Sequence, residues 1–96
     1  MRDRLDWRHR GEYIVKHGLT SEAADEAFAD PDRLVIDPDP ASVSGRTIRI
    51  IGWSTTKQQL VTVIVLPDGE VTSGVNAWGA NAIDQRRYRE ESSDEH

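Results

Sequence analysis

The sequence predicts an α+β domain, and three features of the 96-residue chain lead to that fold class. Up to about Asp37, the chain contains good helix formers separated by residues that end helices. From Arg46 onward, apolar residues alternate with a period of two, which indicates strands. A polar segment with a capping residue follows. This order of two helices, about four strands and one helix predicts helices packed on one face of an antiparallel sheet.

The first predicted helix runs from Trp7 to His17. This stretch contains no proline, and Gly18 follows at the position where a left-handed residue commonly ends a helix. Lys16 and His17 then fall in the last turn, where positive charge complements the helix dipole. The pair therefore has a structural explanation before any chemical one.

The second predicted helix begins after Thr20, which is a suitable N-cap. Asp30 and Pro31 end this helix because the residue before a proline disfavours helical geometry. The spacing of three and four places a set of apolar residues on one face: Ala23, Ala24, Ala27 and Phe28. Three acidic residues are predicted to face water: Glu22, Asp25 and Glu26.

The strands follow from short apolar runs between turn residues. A strand is predicted at "RLVI" (33–36), and the proline-rich "DPDPASVSG" (37–45) predicts a loop. The runs "RTIRIIGW" and "LVTVIVL" predict two further strands, and "PDG" predicts a tight turn into a last strand, "EVTSGVNAW". These three consecutive strands are expected to pair antiparallel.

The chain is expected to end in a helix from Ala82 to Glu91. Asn81 can cap it and Asp84 lies near its first turn, where negative charge is favourable. Residues 1–91 are predicted to form a single domain, because a chain of this length has room for only one core. Residues 92–96, "SSDEH", are expected to be a disordered polar tail.

Composition restricts the environment and the partners. The chain has no cysteine and a net charge of -5, and its longest apolar run, Leu60 to Leu66, is too short to span a membrane. We therefore expect a soluble cytoplasmic protein with no membrane partner. The negative net charge argues against nucleic acid as a binding partner. Residues 45–66, however, carry Arg46, Arg49 and Lys57 and no carboxylate. This stretch fits either a local positive patch or evenly solvated charge.

The candidate chemistry needs neither a metal nor a cofactor. His9 and His17 are not spaced as a metal motif, and no glycine-rich phosphate loop is present. RNA cleavage suits the remaining side chains, because the 2′-hydroxyl of RNA is the nucleophile and the protein supplies proton transfer and charge neutralisation. The candidates are Lys16, His17, Arg46, Lys57, Asn76, Arg86, Arg87 and Tyr88.

Several of these residues also have structural interpretations. Arg86, Arg87 and Arg89 can pair with Asp84 and Glu90 on a solvated helix, and Arg46 can simply open a strand. Trp53 and Trp78 fit either core anchors or surfaces on which bases stack. The sequence alone leaves these alternatives open.

In order along the chain, "DWRHRGEYIVKHGLTSEAADEAFADP", "GRTIRIIGWS", "LVTVIVL" and "NAWGANAIDQRRYRE" resemble the BrnT family of toxins from bacterial type II toxin-antitoxin pairs. The resemblance extends from Asp6 to Glu91. It implies a small RelE-like fold and a metal-independent endoribonuclease that cleaves RNA and inhibits translation. It also implies a cognate antitoxin encoded nearby, which forms a hetero-oligomer with the toxin.

The resemblance assigns roles by position. Lys16 and His17 match the "KHG" of the family, Arg46 matches the arginine that opens the "R…IG.S" strand, and Arg87 with Tyr88 match the terminal "RR.Y". His17 or Tyr88 would transfer protons, whereas Lys16, Arg46 and Arg87 would contact the phosphate. The remaining RNA-binding candidates are Lys57, Asn76, Trp78 and Arg86.

One departure from the family pattern concerns the segment before the last helix. Where BrnT-like sequences usually have Ser-Ala-Arg, this chain has Asn76, Ala77 and Trp78, so a phosphate clamp is replaced by an aromatic surface. This change fits a divergent ribonuclease toxin. The alternative is a catalytically degenerate toxin fold that acts as a non-enzymatic interaction module for a basic partner protein. A toxin with a target other than RNA fits the same sequence.

Overall fold

The computed structural model of the chain describes residues 5–7 and 18–94. Within these residues, the four strands form one antiparallel sheet in the order β1-β2-β3-β4. The α+β class, the four-stranded antiparallel sheet and the C-terminal helix are therefore confirmed. The elements in chain order are α1 (Ser21–Ala29), β1 (Leu34–Ile36), β2 (Ile48–Ser54), β3 (Gln59–Asp68), β4 (Val71–Gly79) and α2 (Ala82–Asp94).

The helix predicted to precede α1 lies almost entirely outside the described residues, because residues 8–17 are not among them. The described segment before it, residues 5–7, runs beside β4. The N–H of Asp6 donates to the carbonyl of Thr72 (2.9 Å), and the N–H of Gly74 donates to the carbonyl of Asp6 (2.8 Å). Trp7, the predicted first helical residue, is thus part of a short segment paired with the edge of β4.

Helix α1 begins as predicted. The Thr20 hydroxyl oxygen accepts from the N–H of Ala23 (3.1 Å), which satisfies one of the free N–H groups of the first turn. Ala23, Ala24 and Ala27 are fully buried against the sheet. Small side chains on this face allow the helix axis to approach the strands closely.

Two acidic residues of α1, Asp25 and Glu26, accept hydrogen bonds from other segments of the chain. Asp25 accepts from the N–H of Leu5 (3.0 Å) and from the indole N–H of Trp7 (3.2 Å). Glu26 accepts from the hydroxyl (2.6 Å) and the N–H (2.8 Å) of Thr56 and from the hydroxyl of Ser54 (2.8 Å), and these hydrogen bonds lower its pKa. Both side chains are half-buried, so they face water only in part, and the prediction did not include these contacts, whose donors lie 18 to 30 positions away in sequence.

The alternation of side chains assigns the two faces of the sheet. The face under α1 carries the main core, and the opposite face carries Arg49 and Ile51 of β2 beside Ile64 and Thr62 of β3. Ile51 and Ile64 are almost fully buried on this second face. The core residues under α1 are Ile50, Val61, Val63, Val65 and Ala77, with Ile48 partly buried beside them.

Helix α2 lies on the second face, so the prediction of helices on one face only was wrong. The hydroxyl of Thr62 donates to Asp84 of α2 (2.8 Å), and Thr62 points away from α1. The physical reason is the composition of β2 and β3, whose side chains are apolar on both faces and therefore need cover on both. Asn81 caps α2 as predicted, because its side-chain oxygen accepts from the N–H of Asp84 (2.9 Å).

The boundaries of two segments differ from the predictions. Asp68 pairs with Val71, so the turn between β3 and β4 is formed by Gly69 and Glu70 rather than by Pro67, Asp68 and Gly69. Gly69 has a φ of +65°, which favours glycine. Helix α2 continues to Asp94, into the segment predicted to be a polar tail. No helix in the described part of the chain is long and apolar enough to cross a membrane.

Candidate functional site

A cluster of charged side chains lies between α2 and the sheet, and Asp84 is at its centre. The Asp84 carboxylate is fully buried and accepts from four donor contacts. One guanidinium nitrogen of Arg49 donates to both of its oxygens (3.2 and 3.0 Å), Arg87 donates to one (3.0 Å), and Thr62 donates to the other (2.8 Å). Because every buried oxygen is paired, the desolvation cost of the carboxylate is offset by charge-assisted hydrogen bonds.

A second carboxylate holds Arg49 from the loop between β1 and β2. Asp39 is buried, and its Oδ1 accepts from Nε of Arg49 (2.8 Å). Arg49 therefore lies between two carboxylates, one contributed by this loop and one by α2. The cluster contains two arginines, Arg49 and Arg87, and two aspartates, Asp39 and Asp84, so its formal charge is zero.

Trp78 of β4 borders this cluster. The guanidinium of Arg49 lies 5.7 Å from the centre of the Trp78 ring, within the range of a cation–π interaction. Trp78 is only partly buried, and Asn76 lies on the same face of β4, since two residues along a strand share a face. The side-chain oxygen of Asn76 accepts from the N–H of Ala77 (2.9 Å). Two predicted RNA-binding residues are thus neighbours on one face.

Arg87 and Tyr88, two of the predicted catalytic residues, both contact carboxylates of the protein itself. Arg87 binds Asp84, as described above. The Tyr88 hydroxyl donates to Oδ2 of Asp30 (2.7 Å), an oxygen that also accepts from the N–H of Trp53 (2.8 Å). Burial of Tyr88 and its bond to Asp30 raise the pKa of the phenol above its ordinary value of 10.0. The phenol therefore stays protonated at neutral pH and attaches α2 to the end of α1.

We predict that Tyr88→Phe lowers the free energy of unfolding by about 1–2 kcal/mol near neutral pH, because the phenol donates to a carboxylate. A raised folded-state pKa gives stability that is complete below pH 10.0 and is lost as the pH rises above it. The difference between wild type and Tyr88→Phe should therefore shrink in urea titrations near pH 11. An equal difference at both pH values would show that the phenol bond does not stabilise the fold.

The other predicted cations are dispersed. Arg46 lies in the loop before β2, and Lys57 lies in the turn after it. The seven residues of β2 separate them by roughly 20 Å, so they do not form one patch with Arg49. Arg86 is exposed on α2. Arg46 is also exposed, and within the described part of the chain no hydrogen bond or ion pair involves its guanidinium.

Lys16 and His17 lie outside the described residues, as does His9. Among residues 5–7 and 18–94, no three carboxylate or histidine side chains converge in a way that could hold a metal ion. Trp53, for which the sequence left two interpretations open, has 42% of its surface exposed and is therefore not a core anchor.

Sequence reasoning missed the importance of Arg49, Asp39 and Asp84 acting together. The sequence placed Arg49 in a strand and Asp84 at a helix start, but these two residues are 35 positions apart. One signal was present in the sequence: Arg49 interrupts an otherwise apolar strand. A charged side chain in a strand that is covered on both faces needs a partner of opposite charge. No family model, curated protein or solved structure matched the chain, so the interpretation of this site depends on its residues and their geometry.

Proposed function

We propose that the chain is the toxin component of a type II toxin-antitoxin pair, with a RelE-like fold and metal-independent endoribonuclease activity. Its BrnT-like segments motivate the proposal, and the order of elements from α1 to α2 is compatible with it. In this proposal the substrate is single-stranded RNA, and the protein halts translation by cleaving it. A cognate antitoxin binds the toxin and inhibits it.

The observation that carries the proposal is the partly exposed residue Trp78 beside Asn76 on one face of β4. An aromatic side chain on a sheet surface offers a platform on which a base can stack, and a neighbouring amide can form a hydrogen bond with it. Arg49 lies over the ring, and its charge is already balanced by Asp39 and Asp84. Arg49 therefore positions the ring and leaves phosphate binding to other cations.

Of the residues that the structure describes, Arg46 is our candidate for contact with the phosphate. Its guanidinium is exposed and has no intramolecular ion pair among the described residues, so binding a phosphate does not break an existing contact. Arg87 is less suited because it is bound to Asp84. We give proton transfer to His17 rather than to Tyr88, because the Tyr88 hydroxyl donates to Asp30 (2.7 Å), and burial together with this bond raises the pKa of the phenol further above neutral pH.

A second candidate function is a non-enzymatic interaction module. It is favoured by two contacts within the protein: Arg87 forms an ion pair with Asp84, and the Tyr88 hydroxyl donates a hydrogen bond to Asp30, although both residues would otherwise serve catalysis. The net charge of -5 would suit a basic partner protein. In this alternative the chain retains a toxin-like fold and binds its partner without cleaving RNA.

Growth of a bacterial host after induced expression of the chain alone tests the toxin proposal. We expect growth arrest with wild type and normal growth with Arg46→Ala expressed to the same soluble level. The loss of one transition-state phosphate contact should reduce the cleavage rate by about 100-fold. Normal growth with abundant soluble wild type would contradict the toxin proposal and favour the interaction module.

A further inference from the structure

The two outer edges of the sheet differ in whether another described segment pairs with them. At β4, the outer edge is partly covered by residues 5–7, which exchange backbone hydrogen bonds with Thr72 and Gly74. At β1, no described segment pairs with the outer edge, and the central residue Val35 has 49% of its surface exposed. An uncovered edge presents backbone N–H and C=O groups that can pair with a strand from another chain.

A groove runs along this free edge, between β1 and the second half of α2. It has a volume of about 460 Å³, and Leu34, Val35 and Ile36 of β1 line it. Three exposed carboxylates also line it: Asp37, Glu90 and Glu91. Among the residues that the structure describes, Arg87 is the one cation that lines the groove, and it is paired with the buried Asp84. The described lining therefore combines apolar surface with negative charge.

The register of β1 fixes what an added strand would encounter. Leu34 and Ile36 pair with Ile51 and Arg49, so they point to the α2 side and into the groove. Val35 pairs with Ile50 and points to the α1 side. Because side chains alternate along a strand, every second residue of an added strand would enter the groove, and the others would lie beside Val35.

We propose that the outer edge of β1 binds an extended segment of a basic partner protein as a fifth strand. Lysine or arginine at every second position would lay its aliphatic stem along Leu34 and Ile36 and place its charge near Glu90 and Glu91. The intervening residues of the segment would be apolar and would cover Val35. If the chain acts as an interaction module, this surface is where its basic partner protein would bind. It does not depend on whether the chain cleaves RNA, so either proposal can fail without the other.

Titration of the ¹⁵N-labelled full chain with a blocked peptide, Val-Lys-Val-Lys-Val-Lys, tests this proposal by backbone-amide chemical shifts. We expect saturable shifts at Leu34–Ile36 and in the second half of α2. Glu90→Lys with Glu91→Lys should weaken binding by about tenfold, since two attractive charges become repulsive. The matched control is Asp68→Lys with Glu70→Lys, which makes the same change of charge at the exposed end of β3 and in the turn after it, and it should alter affinity by less than about twofold.

A second probe separates strand pairing from charge alone. This probe is the same peptide with N-methyl groups on alternate residues, along the edge that would pair with β1. It keeps its charge but cannot donate backbone hydrogen bonds to β1, so the chemical-shift changes at β1 should be lost. Undiminished binding of this peptide, equal weakening by both charge reversals, or no response at β1 would each overturn the proposal. Shifts at β1 that depend on protein concentration without peptide would show that a second copy of the chain occupies the edge instead.

Discussion

Replacing Asp84 by alanine is expected to lower the free energy of unfolding by about 3–5 kcal/mol, the range found when one member of a buried ion pair is removed. The substitution leaves Arg49 with one of its two carboxylate partners, Asp39, and it removes the acceptor of the Thr62 hydroxyl and of the Arg87 guanidinium. Because small domains are stabilised by roughly 5–15 kcal/mol, this loss removes much of the margin. Urea unfolding followed by tryptophan fluorescence measures it.

Two comparisons make the Asp84 result specific. Asp68→Ala removes a carboxylate from an exposed strand end and should change stability by less than about 0.5 kcal/mol. In a double-mutant cycle, Asp84→Ala combined with Arg49→Met should cost less than the sum of the single changes, because the unpaired buried charge is removed as well. Additive effects, or an Asp84→Ala variant as stable as Asp68→Ala, would mean that the cluster does not couple α2 to the sheet.

Gly52→Ala is expected to lower the free energy of unfolding by roughly 3 kcal/mol, at the upper end of overpacking costs. A Cβ at this position would overlap the carbonyl oxygen of Ala27 and lie 2.8 Å from its carbonyl carbon. These are backbone atoms, so the overlap is relieved only if α1 moves away from β2. Such a movement would disturb the packing of Ala23, Ala24 and Ala27 against the core. The thermal unfolding midpoint measures this cost.

Gly79→Ala is the matched control for Gly52→Ala, because it adds the same methyl group at the end of β4. There the added Cβ meets the side chain of Gln59, at 3.0 Å from Nε2, and a flexible exposed side chain can move aside. We expect the Gly79→Ala variant to unfold within about 1 kcal/mol of wild type. Equal midpoints for the two variants would contradict the close contact between α1 and β2.

The parts of the fold that were predictable from the sequence are those specified by local residues. Thr20 and Asn81 cap their helices through side chains that reach the backbone three residues away. The apolar alternation in β2 and β3 also indicated strands correctly, because a period of two is a local property. The side of the sheet on which α2 packs was not predictable in this way, since it depends on which face each helix covers.

The candidate site was less predictable because its contacts are distant in sequence. Asp84 receives hydrogen bonds from residues 22 and 35 positions away, and Asp30 receives one from Tyr88, 58 positions away. Such contacts depend on strand register, and a shift of one residue would move Arg49 to the opposite face of the sheet. The roles predicted for Arg87 and Tyr88 remain predictions, whereas their carboxylate partners are visible in the structure.

The central functional claim is tested most directly by incubating purified chain with single-stranded RNA in the presence of EDTA and following the cleavage products. Arg46→Ala, purified identically, controls for contaminating nucleases. We expect wild type to cleave the RNA to products with 2′,3′-cyclic phosphate ends, because the 2′-hydroxyl is the nucleophile, and Arg46→Ala to be about 100-fold slower. No cleavage by folded wild type, or equal cleavage by both proteins, would contradict the assignment of a ribonuclease site to this chain.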